Sequence, residues 1–177
     1  MNSFADHFPV ILRMMVVYLI MFVLFLFNTM SIATPISDGV DVPFIIMMLY
    51  YWSIYRPTLI PPFLVFAIGI CFDLLSGWPV GLSSFILLLL RHVIVLQRLF
   101  LTGQPFTVIW IGFMMAGLGS LSLQWLLFGL TQFQWGPIHP VFLTSFVAIL
   151  LFPLISVVLH FSHKALPYIQ DHYSAVS

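Results

Sequence analysis

Six long apolar stretches fill nearly all of this chain, and the few charges between them are unevenly placed. Hydrophobic residues make up 62% of the sequence and Asp, Glu, Lys and Arg only 6%. A soluble domain carries about 25% charged residues, so this chain cannot coat itself for water. It reads as an integral membrane protein. In lipid every backbone N–H and C=O must be bonded internally, which leaves helices or a closed barrel. The apolar runs are continuous rather than alternating, and that pattern belongs to helices.

The spans fall at about 14–33, 43–55, 59–75, 82–101, 106–130 and 140–161. A crossing helix needs roughly 17–25 residues, and five of the six stretches meet that. The second would cover only about 20 Å at 1.5 Å per residue. It is expected to cross with Arg56 snorkelling to the headgroups, because a re-entrant hairpin of spans two and three would leave Arg56 near mid-membrane. The expected fold is therefore all-α: one polytopic domain, residues 1–177, with six transmembrane helices in one bundle.

Charge sets the orientation. With six spans, Arg13, Arg56, Arg98 and Lys164 all fall on one side. The opposite loops hold Asp38, Asp41, Trp78 and Trp135 and no Lys or Arg. The positive-inside rule then puts both termini in the cytoplasm. Trp78 and Trp135 suit the outer interface, and Trp52, Tyr55 and Trp110 the inner one. Arg13, the run Met14–Phe27 and Ser31-Ile32-Ala33 also resemble a cleavable signal. Retention is expected, because loss of span one would leave an odd number. The one cysteine, Cys71, lies inside span three, so no internal disulfide is possible.

There is no room for a separate soluble domain, no repeat and no low-complexity segment. Pro43, Pro61, Pro62, Pro105, Pro137 and Pro140 stand at helix starts, where the first N–H groups lack partners anyway. Pro153 lies within span six and predicts a kink. In span five Gly112, Ala116 and Ser120 recur every four residues, followed by Gln124. Small residues at that spacing predict a helix–helix seam, with a neighbour from this chain or from a partner.

Asp73 and Arg91 are the charges that need explaining. A charge at the bilayer centre costs roughly 2.5–3.5 kcal/mol, so each needs a partner, a wet cavity or a function. Arg91 is about 13 Å down span four from Leu82 at 1.5 Å per residue. The two residues either meet inside the bundle, directly or through water, or are solvated separately at opposite surfaces. Gly69, Asp73 and Gly77 share a helical face. Gly77 and Gly81 bracket Trp78-Pro79 and allow positive φ on both sides of a rigid bend. The Asp73 carboxylate could also cap the first turn of span four.

Chemistry is thinly supplied. The chain has no glutamate, and Asp73 is the only acid within a span. Intramembrane aspartyl proteolysis needs two facing carboxylates. No nucleophile elbow and no phosphate-cradling Gly-rich loop is present. His160-x-x-His163 has helical metal spacing but no third ligand, and reads as interface histidines. His92 is expected packed or hydrogen-bonded in the bundle. No catalytic, cofactor-binding or metal-binding residue is assigned, and catalysis is not expected. A net charge of +0 without a basic stripe excludes nucleic acid as a partner.

At Pro43–Arg98 the sequence resembles a known family. Pro43-Phe-Ile-Ile-Met-Met-Leu-Tyr-Tyr-Trp52 leads to Arg56-Pro57, and a hydrophobic helix follows, then Asp73-Leu-Leu-Ser-Gly77-Trp-Pro79-Val-Gly81. This is similar to the rod shape-determining protein MreD family. The patterned region covers about a third of the chain, and the rest matches in hydropathy. The resemblance implies a non-enzymatic scaffold of the bacterial elongation machinery in the inner membrane. Its implied partners are MreC above all, then MreB, RodA and the elongation-specific penicillin-binding protein, among membrane lipids. It also implies a fold like the six-helix substrate-binding subunits of energy-coupling-factor transporters. Asp73, Gly77, Pro79 and Gly81 would form the family's helix-turn, and the small-residue face of span five would receive a partner helix.

A second function class is a substrate-binding subunit of a small-molecule transporter. That would need an outer pocket with convergent polar side chains. The sequence offers few: Asn28, Asp73, Gln124, Thr131 and Gln132, a scarcity that favours the scaffold. A third is a lipid or polyprenyl-carrier binder in which Arg91 meets a phosphate.

Overall fold

The computed structural model describes residues 15, 17–29, 42–133 and 135–164, with side chains as far as 160. Expectations that rest on Arg13, the possible cleavage site, Asp38, Asp41, Lys164 or His163 lie outside these described residues or side chains. The described chain is helical: α1 Val17–Thr29, α2 Phe44–Tyr55, α3 Pro62–Ser76, α4 Leu82–Thr102, α5 Phe106–Gln132 and α6 His139–Lys164.

Proline sets most of the starts. Pro43, Pro61 and Pro105 precede α2, α3 and α5, and Pro140 stands in the first turn of α6. None of α2, α3, α4 and α5 has a side-chain hydrogen bond from its own N-cap residue. Proline there removes a donor that the helix would have left unpaired.

Three helices, α4, α5 and α6, are long and apolar enough to cross a membrane. The described part of α1, and α2 and α3, are shorter. Span three, expected at about 59–75, is shorter than expected. For span three the cause is local. Pro61 and Pro62 deny helical conformation to the residues before them, so α3 starts at Pro62 and not near Leu59. Its 15 residues reach about 22 Å, against a hydrocarbon core of about 30 Å.

The shortest of the complete helices is the centre of the bundle. Ile45 to Ile54 of α2 are all buried. A helix that is apolar all round must avoid water, and α2 does so against protein, packing on α4, α5 and α6. α1 runs antiparallel beside it: Tyr18 Oη donates to Leu59 O at one end, and the Ile45 N–H donates to Asn28 Oδ1 at the other. Trp52, expected at the inner interface, is 0% exposed and belongs to this core. Tyr50, Phe113 and Phe152 pack ring against ring, with Phe106 stacked on Phe152. Large apolar side chains cover the outside, among them Phe85, Leu96 and Leu99 on α4, Met115 on α5, and Phe146 and Leu154 on α6. Such a surface is stable against lipid and not against water.

α6 continues through Pro153. Proline there cannot donate to the carbonyl four residues back, that of Ile149. The Trp110 indole N–H fills the place, donating to Ile149 O at 3.0 Å. The indole expected as an interface anchor thus ties α5 to α6 where the α6 ladder is broken.

Candidate functional site

α3 ends at a left-handed Gly77 (φ 67°), and α4 begins after a left-handed Gly81 (φ 98°). Both backbone conformations are open to glycine at little cost. Trp78 N–H donates back to Asp73 O at 3.0 Å, which closes the end of α3. Asp73 is fully buried. Its Oδ2 accepts the Gly81 N–H at 2.8 Å, and its Oδ1 the Ser83 N–H at 3.1 Å. The carboxylate therefore sits on the unpaired donors, and the positive dipole end, of α4. Gly69, one turn before Asp73, lies against Ser84, and a Cβ there would overlap the Ser84 backbone. Ser84 Oγ donates to Phe66 O at 3.0 Å across the same contact. Pro79 is half-buried in the turn.

Arg91 does not meet Asp73. Its Nε donates to Ile60 O at 2.7 Å and one Nη to Pro57 O at 3.3 Å. The α2–α3 turn thus lies against the middle of α4. In a continuing helix Pro57 O would accept from residue 61, and that residue is a proline without a donor. Arg91 supplies the missing N–H groups. Two of its five N–H groups are thus spent on protein carbonyls. Asp73 and Arg91 have matching duties: each secures one turn of the α2–α3–α4 unit, the anion on donors and the cation on acceptors.

The α5 stripe turns inward. Tyr50 Oη of α2 donates to Ile109 O at 2.9 Å, and a Cβ on Gly112 would come within 2.5 Å of that oxygen. Ala116 packs against the core, and Ser120 is buried with its Oγ donating to Ala116 O at 2.6 Å. At Gly112 the seam expected of this face is closed by the chain's own α2.

At Gln124 the stripe opens on a cavity of about 260 Å³ beneath the α3–α4 turn. Asn28, Ser83, Gln124 and Thr144 bring polar groups to it from α1, α4, α5 and α6. Phe72, Trp78, Trp125 and Phe128 give it aromatic walls. Trp78 lies 5.1 Å from the Phe128 ring, so the α3–α4 turn closes on α5. Trp125 donates its indole N–H to Gly136 O at 3.1 Å, which pins the α5–α6 connection beside the cavity. Of the polar residues considered for a pocket, Asn28 and Gln124 line it, Asp73 is engaged behind Ser83, and Thr131 and Gln132 are exposed at the end of α5. Ser83 and Thr144 were missed. Serine and threonine are so common in membrane helices that only tertiary placement singles them out.

A second cavity, of about 300 Å³, lies between α2, α5 and α6 and includes Tyr51, Tyr55, Ser156 and His160. His92, expected packed in the bundle, is exposed on α4, and Cys71 is exposed on α3. Among the described residues no three His, Cys, Asp or Glu side chains gather as metal ligands.

The family model of the rod shape-determining protein MreD matches residues 11–162. No curated protein and no solved structure matches the chain.

Proposed function

From the premise that the chain belongs to the MreD family, we propose that it is the inner-membrane scaffold of a bacterial elongation machinery, with MreC as its direct partner. The chain is a membrane protein of the rod shape-determining family. In the proposed reading it acts by binding and not by catalysis, and it helps confine peptidoglycan synthesis to the lateral wall. MreB, RodA and the elongation-specific penicillin-binding protein join it through the same assembly. All six helices cross, and both termini face the cytoplasm. Arg56 and Arg98 then lie toward the inner face, and the cavity beneath the α3–α4 turn faces outward.

The observation that carries the reading is the extent of the family match, which takes in α1–α5 and nearly all of α6. Since Gly112, Ala116 and Ser120 face inward, MreC is received on an exposed apolar row of the bundle and not on this stripe. Within a bilayer such rows associate by close packing and not by burial from water. The test is depletion in a rod-shaped host, with purification of the tagged protein. Rounded cells and co-purified MreC are expected. Retained rods without MreC would remove the proposal.

The second reading, a substrate-binding subunit of an energy-coupling transporter, draws support from the same cavity with its four polar side chains. It requires that loss of the protein stop uptake of a solute while cell shape stays unchanged.

A further inference from the structure

We propose that the cavity beneath the α3–α4 turn is a binding site for an uncharged small molecule with a flat or ring-shaped apolar body and at least one amide or hydroxyl group. The proposal does not depend on the scaffold reading, and either can fail alone.

Three observations define the ligand class. The first is charge. Among the described residues no Asp, Glu, Lys, Arg or His lines the cavity. Asp73, behind Ser83, already accepts the N–H groups of Gly81 and Ser83. An ionised ligand would lose its hydration and gain no counter-charge from these residues, a cost of several kcal/mol.

The second is an unmatched polar group. Ser83 is 4% exposed, and its Oγ has no hydrogen-bond partner among the described residues. Buried polar atoms are nearly always paired, so this hydroxyl is poised for a group from outside the chain. The Gln124 amide lines the same space, and so does Asn28, whose Oδ1 accepts the Ile45 N–H. Together they offer both donors and acceptors, which suits an amide or hydroxyl.

The third is shape. Trp78, Trp125 and Phe128 present aromatic faces to the cavity, and their positions are fixed by the contacts of the two turns. Small-molecule sites share this build: apolar and aromatic walls, largely pre-formed, with a few placed polar groups. The volume is at the small end, so it admits one ring system and not a lipid chain.

The probe is 4-bromobenzamide, a neutral flat ring with one amide, whose bromine quenches an indole on contact. Full-length protein in phosphatidylcholine nanodiscs is titrated while tryptophan fluorescence is read. 4-Bromobenzoate, the same ring with a carboxylate, is the control. Saturable quenching by the amide is expected, with the benzoate about tenfold weaker or more. Ser83→Ala and Gln124→Leu should each weaken the amide about fivefold to tenfold, since each removes one hydrogen bond. Both variants should unfold at the parental temperature, which separates a lost contact from a lost fold. Replacing Trp78 and Trp125 by Phe should abolish the saturable part. Quenching that never saturates, or that is indifferent to Gln124→Leu, reports partition into lipid and overturns the proposal. Equal binding of the benzoate overturns the assignment of an uncharged ligand.

Discussion

Asp73 shows how a membrane helix bundle can keep a charge without exposing it. The carboxylate has no solvent, but the donors at the start of α4 are aimed at it. Asp73→Ala should leave the N–H groups of Gly81 and Ser83 unpaired in lipid and lower stability by about 2–4 kcal/mol. Asp73→Asn keeps one acceptor and should cost about half as much, with thermal unfolding in detergent as the measure. A second prediction concerns Trp110 and Pro153. Trp110→Phe should destabilise by about 1–3 kcal/mol because Ile149 O loses its donor. In a Pro153→Ala background the helix supplies its own N–H, and the loss should shrink by about 1 kcal/mol or more in a double-mutant cycle. The Asp73 cap was open to sequence reasoning, because a short turn between two glycines leaves the carboxylate few other places to go. The partners of Arg91 were not. They are backbone carbonyls, invisible in a sequence, and they lack helical donors only because Pro61 and Pro62 begin the next helix.

At the scale of elements, α3 and α4 form a hairpin held at three points: the Asp73 cap, the Gly69–Ser84 contact and the Ser84–Phe66 hydrogen bond. Gly69→Val should force the helices apart, with a loss of about 3 kcal/mol, whereas the same change at Gly119 should cost about 1 kcal/mol or less, since a Cβ there meets nothing within 4 Å. Comparing the two unfolding temperatures separates close packing from helix propensity. The order of the helices and most of their ends were legible, since proline marks the starts and apolar length the bodies. The centrality of α2 was not. Its composition says that it avoids water, and lipid and protein are equally good at that. Only the neighbours decide, and they come from α4, α5 and α6, far along the chain. The inward turn of the α5 stripe was hidden for the same reason: spacing names a face but not what lies opposite.

For the molecule as a whole, orientation is the property to measure. Reporter tags on the two termini should both read cytoplasmic, and Cys71, on the lipid-facing side of α3, should resist membrane-impermeant thiol reagents applied from either side. Tags in opposite compartments would break the even count of crossings. α1, α3, α4, α5 and α6 all carry outer apolar surface, while α2 has almost none of its own. Bilayer thickness therefore presses on those five helices directly and reaches the middle of the protein only second-hand. Swapping a thin host membrane for a thick one should tilt the staves of this barrel-like cask while its bung, α2, keeps the same immediate company.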